Sequence, residues 1–120
     1  MLTSLIDFDS YLQAIRMIPF EQAKKIAEMH LNESRTHFQN THPGDDLILV
    51  KVVEFSNGWL FFFNSKNYHE TRNFLYNLIG LGPVIVDNKE GNVYQAGSGK
   101  TEGEWIDEFN KFLESKNLLD

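Results

Sequence analysis

The most suggestive chemical motif in the sequence is Gly97-Ser98-Gly99-Lys100-Thr101, which resembles the end of a phosphate-binding loop. A P-loop also needs a glycine five positions before the Gly of the Gly-Lys pair, where it leaves room for backbone donors around the phosphates. This chain has Tyr94 at that position, so the motif does not predict nucleotide binding. Thr101 and Glu104 instead have the spacing of a capping box, which predicts the start of a helix.

Histidines and an acid at helical spacing suggest a second kind of chemistry, metal binding. His30, Glu33 and His37 could lie near one face of a helix and offer nitrogen and oxygen ligands. The spacing is not HExxH and no fourth ligand is evident, so solvent-facing side chains are the better interpretation. His69-Glu70 is likewise more typical of a solvated loop than of an acid–base dyad. We predict no metal and no cofactor.

Nucleophilic and carboxylate catalysis have little support in the sequence. The chain has no cysteine, and no serine lies in a Gly-x-Ser-x-Gly elbow. Asp45, Asp46, Glu54 and Asp87 could form a carboxylate pair in space, but the sequence alone brings no two of them together. We therefore predict that the protein is not an enzyme, and a small enzyme remains the alternative that a cluster of acid, base and pocket would support.

Charge argues against nucleic acid as a partner. The formal net charge is −6, whereas binding to a phosphate backbone depends on clustered Lys and Arg. Residues 101–120 carry six acidic and two basic side chains, so the excess is concentrated at the end of the chain. This acidic end could steer a basic protein partner over a Debye length of about 8 Å. A solvated helix with acids near its start is the other interpretation.

Length and composition predict one cytoplasmic domain over residues 1–120. A chain of this size is typical of a single core, and its 42% hydrophobic and 13% aromatic content argues against disorder. The absence of cysteine suits a reducing compartment. The N-terminus lacks a signal peptide's basic and apolar regions, and no apolar stretch approaches the roughly 18 residues of a membrane span. We expect no membrane association.

Three helices are predicted from caps and periodicity. A short helix is predicted over residues 8–17, capped by Asp7 or Asp9. Pro19 suits a first helical position and begins a predicted helix over residues 19–34. The last helix has an apolar stripe at helical spacing. The stripe consists of Trp105, Ile106, Phe109, Phe112 and Leu113.

The strands are predicted as two hairpins. Residues 47–55 and 59–64 are β-branched or aromatic, and the Asn57-Gly58 pair between them tolerates positive φ. Residues 84–87 and 92–96 form the second pair. Between the hairpins, Phe74, Leu75, Leu78 and Ile79 fit one or two helical turns. The fold class is α+β, a four-stranded antiparallel sheet packed with an N-terminal helix and a C-terminal amphipathic helix.

The aromatic run at residues 59–63 places large side chains on both faces of the sheet, because successive residues of a strand point in opposite directions. Either a helix covers each face, or part of one face binds a partner or a second copy of the chain. A homodimer is therefore possible. Trp59 is more typical of a core residue than of an anchor at an interface.

These segments resemble the bacterial immunity protein 35 family, also called the YrhB-like family. The resemblance rests on Gly-Trp-Leu-Phe-Phe-Phe-Asn-Ser at residues 58–65, Gly-Pro-Val-Ile-Val-Asp at residues 82–87, Gly-Asn-Val-Tyr at residues 91–94, and Trp105-Ile106 in the closing helix. It covers about residues 54–112, with residues 1–18 as an extension. The chain departs from the family's pattern at Leu81, where the family often has Asn.

The resemblance implies a bacterial cytoplasmic immunity protein, which is made beside a polymorphic toxin and neutralises it by tight one-to-one binding. It implies no cofactor. The acids that we expect to steer a basic toxin are Asp45, Asp46, Glu102, Asp107 and Glu108, and Trp59 or Tyr68 would supply anchor area. The alternative is a chaperone-like or housekeeping module that offers its sheet face to exposed apolar segments.

Overall fold

The computed structural model describes residues 17–116 of the chain. Its elements are α1 (Phe20–His30), α2 (Asn32–Thr41), β1 (Leu47–Phe55), β2 (Gly58–Ser65), α3 (Lys66–Thr71), a 3-10 helix (Phe74–Tyr76), β3 (Val84–Asp87), β4 (Val93–Gln95) and α4 (Glu102–Ser115). The strands form one antiparallel sheet in the order β1-β2-β3-β4. The predicted α+β class and both hairpins are confirmed. Except for Met17, the helix predicted over residues 8–17 lies outside the described residues.

The first hairpin closes through Ser56 and Asn57, since Phe55 pairs with Gly58. The Asn57-Gly58 pair tolerates positive φ, but neither residue adopts it in this turn. Gly58 is required for a different reason. A Cβ at this position would lie 2.0 Å from the carbonyl oxygen of Val86, so the glycine allows β3 to approach β2 closely.

A bulge in β1 determines which side chains face each helix. The pairing skips from Leu49 with Phe63 to Lys51 with Phe62, which leaves Val50 as the extra residue. Leu49 therefore packs on the core beneath α1, and Lys51 reaches the opposite face, where its Nζ lies 3.0 Å from a carboxylate oxygen at the start of α4.

Helix α1 covers one face of the sheet through small residues. Ala23 and Ala27 are fully buried, so the helix backbone can approach the strands. The ring of Phe20 lies 6.0 Å from that of Trp59 and 5.9 Å from that of Phe61. The core on this face consists of Ala23, Ala27, Leu31, Trp59, Phe61, Phe63, Val84 and Val86.

The helix predicted over residues 19–34 is instead two helices, because α1 ends at His30 and α2 continues to Thr41. Leu31 separates them and is buried in the core. Phe38 is the buried residue of α2, whose other side chains are mostly polar. The Nε of Arg35 donates to the carbonyl oxygen of Leu47 (3.2 Å), which ties α2 to the start of β1.

Helix α4 covers the other face, as its apolar stripe predicts. Its first turn has the expected capping box, in which the amide of Glu104 donates to Thr101 Oγ1 (3.2 Å) and the amide of Thr101 donates to Glu104 Oε1 (2.8 Å). The buried core on this face consists of Leu60, Ile85, Ala96, Phe109 and Leu113. Helices therefore cover both faces of the aromatic strand β2, which confirms the first of the two alternatives.

The connection between β2 and β3 differs from its predicted form. Helix α3 begins directly after β2, and the predicted helical turns around Phe74 are reduced to one three-residue 3-10 helix. No helix within residues 17–116 is long and apolar enough to cross a membrane.

Candidate functional site

An exposed apolar surface lies on the connection between β2 and β3. Leu75 is 89% exposed, Ile79 69%, Phe74 67% and Tyr76 42%. We call these four residues the 74–79 patch. Scattered apolar side chains are normal on a protein surface, but four large ones within six residues are typical of a contact site.

Asparagine side chains hold the backbone of this segment. Asn64 Oδ1 accepts from the amide of Leu78 (3.1 Å), and Asn64 Nδ2 donates to Asn77 Oδ1 (2.9 Å). Asn73 Oδ1 accepts from the amide of Leu75 (3.1 Å), as in the first turn of a capped helix. Polar side chains thus fix the backbone from within the chain, while the apolar side chains stay in solvent. These hydrogen bonds restrain the backbone that presents the patch.

Two of the predicted site residues, Asp45 and Tyr68, are linked through the hydroxyl of Ser65 beside this connection. The amide of Tyr68 donates to Ser65 Oγ (3.1 Å), which caps α3. The same hydroxyl donates to Asp45 Oδ2 (2.5 Å), and Asp45 Oδ1 accepts from the amide of Asn67 (3.0 Å). Asp45 therefore joins the start of β1 to the first turn of α3.

The environment of Asp45 favours its charged form. Burial alone would raise its pKa, but the hydrogen bonds from Ser65 and from the amides of Asn67 and Asp46 together lower the pKa below its usual value. The carboxylate is thus an internal acceptor for three donors. It contributes to the fold, whatever its role in steering a partner.

Replacing Asp45 with asparagine is expected to lower the free energy of unfolding by about 1–2 kcal/mol at pH 7, because an amide nitrogen cannot accept the Ser65 hydroxyl proton. A lowered carboxyl pKa stabilises the fold above the unfolded value of about 3.9, and that contribution disappears as the pH falls through the folded value. In urea unfolding, the difference between wild type and D45N should therefore be constant above about pH 5 and shrink as the pH falls below the unfolded pKa and through the folded one. A difference that stays constant with pH would contradict the assigned hydrogen bonds.

Asp46 and the acids of α4 are also engaged within the chain. Asp46 Oδ1 accepts from Gln39 Nε2 (3.1 Å) and from the amide of Leu47 (2.7 Å). Glu102 Oε2 lies 3.0 Å from Lys51 Nζ. Among the described residues Asp107, which is exposed, has no basic side chain within 4 Å.

Glu108 is the most constrained acid of α4. The hydrogen bond from the Lys100 ammonium and then that from the Tyr94 hydroxyl (2.7 Å) lower the pKa of Glu108. The same contact raises the pKa of Tyr94. Glu102 and Glu108, two of the six acids in residues 101–120, are thus each paired with a lysine, which reduces the charge that they offer to a partner.

The last predicted site residue, Trp59, lies in the core. It is 8% exposed and packs beneath α1. Of the seven predicted residues, Asp45, Asp46 and Tyr68 thus lie around the start of β1 and the end of β2. Glu102, Asp107 and Glu108 lie on α4, which covers the face opposite α1. Their roles in partner binding stay predictions.

The patch itself is what the sequence reasoning missed. Phe74, Leu75 and Ile79 were expected to form helical turns that return the chain to the sheet, yet all three are exposed. The available signal was the asparagine on each side, Asn73 and Asn77, because Asn favours caps and turns over helix interiors.

The side chains of residues 17–116 form no cluster suited to metal binding. No three His, Cys, Asp or Glu side chains there are placed to hold a metal ion. His30 Nε2 instead lies 3.2 Å from Gln95 Oε1. No buried side-chain polar atom in this part of the chain lacks a hydrogen-bond partner.

Comparison with known proteins identifies relatives of this chain. The model of a family described as immunity protein 35 matches residues 21–108, a span that begins in α1, ends in α4 and includes the patch. The chain is also 31% identical over 72 residues to the uncharacterized protein YrhB of Escherichia coli (strain K12), covering 57% of this chain and 77% of that protein. No solved structure matches the chain.

Proposed function

Because this chain belongs to the immunity protein 35 family, we propose that it is a bacterial immunity protein, which neutralises a cognate toxin by binding it directly. The toxin is encoded by a neighbouring gene and is held in a one-to-one complex in the cytoplasm. The chain contributes contact area and no catalytic step. The observation that carries the proposal is the 74–79 patch, with side chains 42–89% exposed on a backbone held by Asn64 and Asn73.

The composition of the patch suits the centre of an interface. Aromatic residues are enriched where most binding energy resides, and they lose little conformational entropy on binding. The hydrogen bonds to Asn64 and Asn73 fix the loop before the partner arrives, so less ordering is needed at the moment of binding. A preformed apolar loop of this kind can fill a cleft on the toxin and exclude its substrate or target.

The patch is too small to be the whole interface. A stable complex buries about 800 Å² on each partner. Tyr68, which is partly exposed, lies six residues before Phe74 and is the nearest further aromatic residue in the sequence. We therefore place Tyr68 at the rim of the interface.

Replacing Leu75 with glutamate tests the patch directly. Leu75 is 89% exposed, so the change should leave the free energy of unfolding within about 0.5 kcal/mol. Burying the new charge against the toxin should raise the Kd by about 30-fold or more. Cells that co-express the toxin should lose protection. Binding is measured by calorimetry with an inactivated toxin domain, and protection by survival.

The matched control is S56E, which introduces the same charge in the exposed β1–β2 turn, at the other end of β2. It should protect cells as wild type does. Survival no better than with an empty vector, for the wild-type chain itself, would contradict toxin neutralisation. If L75E instead turned a dimer into a monomer and kept full protection, the patch would be a self-association surface.

A further inference from the structure

Arg72 has a backbone conformation that is unfavourable for its residue type. With φ 59° and ψ 19°, it is the one non-glycine residue between residues 17 and 116 with positive φ. It ends α3, where its amide donates to the carbonyl oxygen of Tyr68 (2.7 Å). Any residue can make that bond, and glycine or asparagine makes it with less backbone strain. The fold alone gives no reason for arginine at this position.

The intrachain contact of the Arg72 side chain does not explain its presence either. Its guanidinium carbon lies 5.6 Å from the centroid of the Tyr68 ring. Such a contact at an exposed site stabilises a protein by less than the left-handed conformation costs an L-residue. No carboxylate in the described part of the chain lies within 4 Å of Arg72, whereas Arg35 has two and Lys51 and Lys100 have one each.

The position of Arg72 connects it to the patch. It is exposed, lies two residues before Phe74 and is held over Tyr68 at the rim of the proposed interface. The left-handed conformation of Arg72 and the cap formed by Asn73 set the direction of the backbone after α3. They therefore restrain the point from which the Arg72 side chain extends. A guanidinium with free donors beside an apolar surface is suited to bind a carboxylate in the bidentate geometry.

We propose that Arg72 is a specificity-determining residue of this surface, whose guanidinium binds a carboxylate of the toxin next to the apolar cleft that receives the 74–79 patch. This role of Arg72 rests on the proposed function. It requires that the toxin has an acidic side chain at the edge of an apolar site. The chain's net charge of −6 would repel such a group elsewhere, so the pairing with Arg72 also fixes the orientation of the complex.

The replacement R72G separates this role from any structural one. Glycine adopts positive φ without strain, so Tm should stay unchanged or rise by up to about 5 °C. The Kd for the inactivated toxin domain encoded by the neighbouring gene should rise about tenfold. Its dependence on salt between 50 and 300 mM should become shallower, because a charge pair has been removed. R72N, which also tolerates the conformation, should behave in the same way, and R72K should be intermediate.

A charge control is K111Q on α4, which removes one positive charge beside Asn110. It should leave both Tm and Kd at the wild-type values. Wild-type affinity in R72G together with loss of affinity in L75E would overturn the role of Arg72 and leave the proposed function intact. A Tm drop of more than about 5 °C in both R72G and R72N would assign Arg72 to the fold instead. No binding by the wild-type chain would overturn both proposals.

Discussion

Replacing Gly58 with alanine is expected to lower the free energy of unfolding by about 3–5 kcal/mol, a large share of the total for a domain of this size. The added Cβ would lie 2.0 Å from the carbonyl oxygen of Val86 and 2.9 Å from the Cα of Asp87. Both atoms belong to the backbone of β3, so no side-chain rotation relieves the overlap. Strands β2 and β3 must separate locally, which disturbs the core on both faces of the sheet.

A matched glycine provides the control for this change. An added Cβ at Gly80 has no heavy atom within 4 Å, and the φ angle of Gly80 is not positive. G80A should therefore stay within about 0.5 kcal/mol of wild type or stabilise the fold slightly, because alanine restricts the unfolded chain. Denaturant unfolding of the three proteins measures the difference. Equal midpoints for G58A and G80A would show that β2 and β3 can move apart at little cost.

Several features of the fold could be predicted because their signals are local. The continuous run of large apolar residues in β2 indicated a strand with large side chains on both faces of the sheet, and two helices do cover these faces. Thr101 and Glu104 indicated the start of α4 through a spacing that has one simple structural meaning. In each case neighbouring residues alone determine the element.

Features that depend on distant contacts could not be predicted in the same way. Helix α2 has little apolar periodicity, and its attachment to β1 depends on Arg35, which reaches the carbonyl oxygen of Leu47. Gly58 was attributed to its turn, but its requirement comes from Val86, a residue 28 positions later. The residues that neighbour Gly58 and Val86 in the sequence do not indicate that the two strands approach each other closely.

The candidate site illustrates the same limit. Acidic residues were expected to be free for a partner, yet Asp45, Asp46, Glu102 and Glu108 all accept hydrogen bonds from within the chain. Conversely, Phe74, Leu75 and Ile79 were expected to form helical turns, and they instead form an exposed apolar surface in which Leu75 is the most exposed residue. A sequence shows how many charges a chain has, but only the fold shows which of them are already paired.

The family-like segment at residues 82–87 ends in an acid whose role is structural. Asp87 is 4% exposed and closes the turn between β3 and β4. Its Oδ1 accepts from the amides of Lys89 and Glu90 (both 2.8 Å), and its Oδ2 accepts from the amide of Asn92 (2.6 Å). Asp87 was one of the acids considered for a catalytic pair, but its oxygens serve these backbone donors.

Replacing Asp87 with alanine is expected to lower the free energy of unfolding by about 3–5 kcal/mol, because three amide donors in the turn lose a charged acceptor. D87N keeps one oxygen and should lose less, while D107A, on the exposed side of α4, should stay within about 0.5 kcal/mol of wild type. Hydrogen exchange adds a local readout, since the amides of residues 89, 90 and 92 should exchange faster in D87A. If D87A unfolded at the wild-type midpoint with unchanged exchange, the backbone alone would hold the turn and the carboxylate would be free for another role.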